Sequence, residues 1–435
     1  MTTNTTARRL FRRLALPAVA VVALPGLANA QEQKNASAAP VAAVDAEEIA
    51  RLPALDAAGV IAQNDIYKFG EDATGSFDLV PAEVGEGPLS TIEARGGVLV
   101  QVRGVGNFFE DASGDDDIDV GFEQSRVNPY IFGTLGPAEG VGFLSGPIEY
   151  RVQGTFVPDG GDFTLEDAFV VLPLSEDIAI RGGQFLNPVS AERTTFGGFN
   201  LAVDRSLASD VLGAGGYVQG VTAVLTPQGV QNIRGEVGIT DGLGSGNTSF
   251  RDTPANIGAA GRFEFLIEGD WAALKDFSAI GTTEQTIAAG AGADLTFAGD
   301  TTLLTGTGDF RFENADGIAA YGAVFVNLGQ FNGDSTFNIG GVGQASFLLE
   351  DGLEPFGRVS ALILDDDTLP ISEDFFLELT TGLNYYFEPE SLPHTLKLTV
   401  DGGILPFGTP GAPQLDFISS EEFQLFIRGQ LQILL

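Results

Sequence analysis

The stretch Phe423-Gln424-Leu425-Phe426-Ile427-Arg428-Gly429-Gln430-Leu431-Gln432-Ile433-Leu434-Leu435 decides the fold. Taken in twos, Phe423, Leu425, Ile427, Gly429, Leu431, Ile433 and Leu435 share one face, while Gln424, Arg428, Gln430 and Gln432 share the other. Successive side chains of a strand point to opposite faces, so this is a ribbon apolar on one side and polar on the other. A soluble protein seldom finishes on such a ribbon. A transmembrane barrel closes on its terminal strand and needs lipid outside and water inside.

The other end of the chain agrees. Arg8, Arg9, Arg12 and Arg13 precede an apolar run from Leu14 to Leu24, followed by Ala28-Asn29-Ala30. A basic region, a short apolar region and an A-x-A site describe an export leader, so residues 1–30 are expected to be cleaved after Ala30. The run is broken by Pro17 and Pro25 and is too short to span a bilayer as an anchor. Beyond it no window approaches the length of a transmembrane helix. Yet 44% of the residues are hydrophobic and the mean hydropathy is +0.15. Both hold if apolar residues are dealt out alternately along strands. Cysteine is absent, which removes disulfides and cysteine metal sites.

The formal net charge is −37, and without the four leader arginines 18 basic residues face 59 acidic ones. So acidic a chain is not expected to bind nucleic acid, whose phosphates need Lys and Arg partners. In a channel the same surplus favours cations, unless most carboxylates sit in solvated surface loops.

Residues 31–90 read as a linker with a short helix over Asp45–Leu52, where Asp45 caps and Pro53 stops it. From about residue 91 to 435 the period is two. Val98, Val100 and Val102 alternate with Leu99, Gln101 and Arg103; Ile148, Tyr150, Val152, Gly154 and Phe156 with Glu149, Arg151, Gln153 and Thr155. The run Leu377–Phe387 and the strand around Lys397 behave alike. Gly-, Asp- and Pro-rich loops lie between them, as at 110–119, 157–162, 241–248, 365–370 and 408–416. At roughly 20 to 22 residues per strand with its half-loops, the segment accommodates about 16 strands, a size that leaves an aqueous channel. Trp271–Lys275 reads as either a helical turn or an irregular loop.

Several segments resemble the phosphate-selective porins O and P of Gram-negative outer membranes. They are Phe163-Thr164-Leu165-Glu166-Asp167-Ala168-Phe169, Ile180-Arg181-Gly182-Gly183-Gln184-Phe185-Leu186-Asn187-Pro188, Asp204-Arg205-Ser206-Leu207, Leu353–Arg358 and Gly382–Phe387, with the closing strand. The resemblance covers residues 120–240 and 340–435. It implies an antiparallel barrel of 16 strands, a homotrimer, and an inward-folded loop after the Gly-Gln-Phe strand, here about 187–215. The charged residues of that constriction loop are Glu192, Arg193, Asp204, Arg205 and Asp210. The chain departs from the family in its cations: Lys34, Lys68, Lys275 and Lys397 are its four lysines. An anion filter needs clustered donors, so strong phosphate selectivity is not expected.

Arg103, Arg151, Arg181, Arg262, Arg311 and Arg428 fall on the polar sides of strands. They are expected on the lumen wall, either opposing acidic residues across the pore or pairing with Glu149, Glu264 or Glu378 across strands. His394, the one histidine, lies in Leu392-Pro393-His394-Thr395 and reads as a solvated turn residue. Asp111–Asp119 and Asp365–Asp367 read as solvated loops, since neither has the spacing of a calcium loop. No cofactor, metal site or catalytic residue is expected. The expectation is an outer-membrane channel passing small hydrophilic solutes or ions, with lipopolysaccharide as its lipid partner. The alternatives are a structural or adhesive barrel, and a barrel enzyme that would have to rest on His394.

Overall fold

The computed structural model describes residues 77–83, 89, 91–110, 116–136, 141–156, 161–226, 231–252, 255–331, 334–365, 374–389, 393–410 and 423–435. Their strands are β1 (Phe77–Glu83), β2 (Thr91–Glu110), β3 (Asp116–Gly136), β4 (Ile148–Phe156), β5 (Phe163–Pro173), β6 (Ile178–Leu186), β7 (Tyr217–Leu225), β8 (Ile233–Thr240), β9 (Ile257–Glu268), β10 (Thr286–Ala298), β11 (Thr301–Glu313), β12 (Ile318–Phe331), β13 (Asp334–Phe347), β14 (Leu353–Ile363), β15 (Phe375–Tyr386), β16 (Leu396–Leu405) and β17 (Gln424–Leu434). From β2 onward each pairs antiparallel with the next, and β17 returns to β2 in register from Gln424↔Phe109 to Leu434↔Leu99. Sixteen strands thus close a barrel, which abolishes free edges along the ring seam.

β1 stands outside the ring. It pairs with β2 over Thr91–Gly96, the part of that edge below the residues that β17 occupies. β1 falls within the stretch read from composition as linker. The leader and the helix expected over 45–52 lie outside the described residues. No helix among the described residues is long and apolar enough to cross a membrane; the crossing is made by strands.

The two-residue period governs which way each side chain points. On β17 Leu425, Ile427, Leu431 and Ile433 are exposed, while Gln424, Phe426, Arg428, Gln430 and Gln432 are buried inside. Val102 on β2, Val152 on β4, Val324 on β12, Val359 on β14 and Val400 on β16 extend the exposed apolar surface around the wall. An apolar belt outside a closed sheet is what a bilayer requires, and the chain is a transmembrane β-barrel.

The inward face is less uniformly polar than alternation alone suggests. Phe325, Phe356, Phe376, Leu405 and Phe426 point inward from β12, β14, β15, β16 and β17. They form one cluster with Leu201, Leu207 and Leu212 of the β6–β7 connection and with Phe277 of the β9–β10 connection. The barrel therefore encloses a small apolar core of its own. Successive connections alternate between the two ends, so those after β6 and after β9 enter from opposite mouths.

Candidate functional site

The β6–β7 connection, 187–216, lies inside the barrel. Its ends meet where the Asn187 amide donates to the Gly216 carbonyl at 3.0 Å. Between them are two short helices, α1 (Ala191–Thr194) and α2 (Leu207–Leu212), with a 3-10 turn at Gly197–Phe199. A serine caps each helix: Ser190 Oγ accepts from the Arg193 amide and Ser206 Oγ from the Ser209 amide. The wall satisfies the rest of the first turn of α2. The Leu207 amide donates to Glu378 on β15 at 2.8 Å, and the Ala208 amide to Ser360 on β14 at 2.9 Å.

The five loop charges expected at a constriction all lie in this segment, but each engages the protein. The Glu192 carboxylate accepts from the Ser206 amide and hydroxyl, both at 2.7 Å. Arg205 donates to the carbonyls of Glu192, Arg193 and Thr195, closing the end of α1. Arg193 pairs with Asp210 at 2.8 Å. Its guanidinium lies so close to Gly215 that a Cβ there would sit 1.8 Å from Nη2. Asp204 reaches the far wall, 2.7 Å from Arg103 on β2, 2.9 Å from Arg428 on β17 and 3.6 Å from Arg126 on β3. Arg428 also grips Asp401 on β16 through two contacts of 2.9 Å. Burial pushes the Asp204 carboxyl up, but the surrounding arginines outweigh it and hold it below the usual carboxylate range.

Further bonds tie the loop to other strands. Val189 accepts from Arg262 on β9 and Thr307 on β11, and Asn187 donates to Asp294 on β10. Asn327 on β12 donates to Leu212, Asn384 on β15 to Leu201, and Lys397 on β16 to Gly198 and Asn200. Hydrogen bonds or ion pairs thus reach β2, β3, β9, β10, β11, β12, β14, β15, β16 and β17. Burying Leu201, Leu207 and Leu212 adds about 1.5–3 kcal/mol each. Together these fix the loop as a packed part of the interior.

The remaining wall arginines are matched at contact distance. Arg103 also pairs with Glu123, Arg151 with Asp167 at 3.3 Å, and Arg181 with Glu236. Arg262 meets Glu264 at 2.8 Å and Asp309 at 2.7 Å, and Arg234 meets Glu264 at 2.8 Å. Arg358 pairs with Glu378 at 2.7 Å. The alternative of pairing across strands describes these residues better than opposed rows across an open pore. Among the described residues twelve Arg and Lys side chains are buried and twelve Asp and Glu. The buried charges of the described residues therefore balance.

No protein-family model matches the chain, and no curated protein matches it. Solved structures do. The chain is similar to the anion-selective porin from Comamonas acidovorans (TM-score 0.53, 11% identity, 79% of this chain and 100% of that one). It is similar also to OprB of Pseudomonas putida (TM-score 0.54, 8% identity, 78% and 93%) and to in-vitro folded OmpT, an outer membrane protein of Vibrio cholerae (TM-score 0.50, 8% identity, 78% and 97%). The likeness is one of fold: this chain has the barrel of outer-membrane porins.

His394 corrects the reading of a solvated turn. It is 1% exposed, and its Nε2 lies 2.9 Å from Asp276 of the β9–β10 connection. Its ring packs against Phe199 of the inward loop at 4.5 Å and edge-on to Tyr386 on β15 at 5.2 Å. Its φ of +67° places a non-glycine residue in the left-handed region. Nothing in Leu392–Thr395 announces this, because the partner lies 118 residues away. Trp271–Lys275 resolves to a 3-10 turn, capped where Asp270 accepts from the Ala272 amide at 3.0 Å. Arg126, Arg234, Arg358 and Asp276 are further interior groups that alternation did not single out.

Burial lowers the pKa of His394, and the opposing pull of Asp276 does not restore it. The folded state therefore prefers the neutral ring. Its contribution to stability is present above the ordinary histidine pKa and is lost as pH falls through the lower folded value. The melting temperature of the wild-type barrel should drop on acidification from pH 7.5 to 5 more than that of His394→Gln. Equal drops in thermal scans would contradict the assignment.

Proposed function

We propose that this chain is an outer-membrane porin, a passive channel for small hydrophilic solutes or ions, with 187–216 as its constriction. The observation that carries the reading is a closed sixteen-stranded barrel, apolar outside, whose interior holds that one long loop tied to ten strands. The similarity in fold to outer-membrane porins supports it. Passage is limited by the space the loop leaves and by the local charge of its anchors, with no covalent chemistry. The balanced interior argues for weak selectivity, and the paired arginines argue against a phosphate filter. Association as a homotrimer and contact with lipopolysaccharide belong to the same reading.

Planar-bilayer recording tests it. Because residues 187 and 216 are bonded to each other, a short Gly-Ser linker can replace Ser190–Leu212 without opening the wall. The wild type should give discrete steps of low conductance, and the shortened protein larger steps. Silence from both, with heat-modifiable barrels on gels, would leave the structural or adhesive alternative.

A further inference from the structure

The β9–β10 connection does more than join two strands. After the turn at Trp271–Lys275 the chain enters the barrel, and Asp276, Phe277, Ser278, Ala279 and Ile280 are all buried in succession. Gly281, at a φ of +75°, turns it back out. Within five residues it meets β11, β12, β14, β15 and the turn before β16. Phe277 packs on Tyr321 of β12 at 4.7 Å, with Arg311 of β11 at 5.3 Å from the same ring. The buried Ser278 side chain lies beside Glu354 on β14 and Tyr386 on β15. Asp276 holds His394 just before β16. Just past the exit, Thr282 donates to Glu313 on β11 at 3.1 Å. The segment thus lies inside the arc of neighbouring strands from β11 to β16.

Its position relative to the constriction loop matters. The two connections enter from opposite mouths and meet, since Phe277 shares a cluster with Leu201, Leu207 and Leu212. Both His394 and the loop residue Phe199 belong to this junction.

We infer that Asp276–Ile280 is a second conductance-determining barrier, in series with the loop 187–216 and held in the lumen by the Asp276–His394 bond and the Phe277–Tyr321 contact. The inference rests on the porin reading. A solute that clears the loop meets this strap next. It carries apolar side chains into the path, a form of barrier that hinders hydrated ions without a charge filter.

Four proteins test it in bilayers: the wild type, the loop-shortened protein, a strap variant with Phe277→Gly, Ile280→Gly and Asp276→Ser, and the combination. Removing one of two comparable resistances in series raises conductance about twofold, and removing both raises it beyond either alone. Polyethylene glycols too large for the wild-type mouth on the strap side should enter the strap variant from that side. If the strap variant refolds to a heat-modifiable barrel and conductance and polymer entry stay at wild-type values, the strap is not a barrier. In that result a conducting loop-shortened protein leaves the porin reading standing, whereas silence from all four overturns the reading itself.

Discussion

Asp204→Ala should lower the stability of the barrel by about 3–5 kcal/mol, the range for breaking a buried charge pair, raise its conductance, and move its reversal potential toward anions. Asp204 is 1% exposed and answers Arg103, Arg428 and Arg126 together. After its removal Arg428 keeps Asp401 and Arg103 keeps Glu123, but the nearest remaining anchor of Arg126 is the neutral Gln101 at 2.8 Å. The interior gains net positive charge where the loop has lost its hold on the far wall. Asp204→Asn separates the effects: it removes the charge at nearly constant shape, so selectivity should shift with a smaller change in conductance. Denaturant titration, step conductance and reversal potential across a salt gradient are the readouts. Unchanged conductance and potential in both variants would mean that the loop does not set the path.

Glu236→Ala should cost as much stability and leave conductance alone. Glu236 on β8 and Arg181 on β6 are a fully buried pair, with Thr222 on β7 also donating to Glu236 at 2.5 Å. The Arg181 guanidinium sits 3.9 Å from the centre of the Phe185 ring and 5.3 Å from that of Phe169. Deleting the carboxylate strands a cation among aromatic rings, at about 3–5 kcal/mol. Replacing both partners by apolar residues, as in Arg181→Met with Glu236→Leu, should recover most of that loss, because the gain from a buried pair barely exceeds its desolvation cost. Persistent destabilisation in the double variant would show that the pair contributes far more than it costs to bury. The pair makes none of the bonds that anchor the loop, which is why the bilayer readout should not move.

Most of the wall was legible in the sequence because one local rule governs it. Alternation assigned Leu425, Ile427, Leu431 and Ile433 to the outside and Arg428, Gln430 and Gln432 to the inside, as observed. It did the same for Arg151 and Val152 on β4 and for Lys397 and Leu398 on β16. Chain length divided by strand repeat yielded sixteen strands because long and short strands and connections average out near the assumed repeat. The contents of the barrel were not legible in this way. Phe426 interrupts the polar face of β17 and joins a cluster with the leucines of the inward loop, which alternation cannot foresee. The partners of the loop charges were not legible either: Arg103 and Arg428 are 101 and 224 residues from Asp204. Net composition pointed to a cationic preference, yet burial sorts charges by partner and leaves the inside balanced. His394 failed for the same reason: a turn residue is solvated unless another segment comes to cover it.

The contacts of Asp204 have one more consequence, for the order in which this molecule can be assembled. Arg103 and Arg428 lie on β2 and β17, the two strands whose meeting turns a sheet into a cylinder. One carboxylate from mid-chain bridges both. A cylinder that zipped shut with the loop still outside would leave Arg103 and Arg428 each short of one of two acidic partners, and Arg126 short of its carboxylate. Closure of the last seam is therefore more favourable around a loop already in place, with Asp204 as the rivet that joins loop and seam.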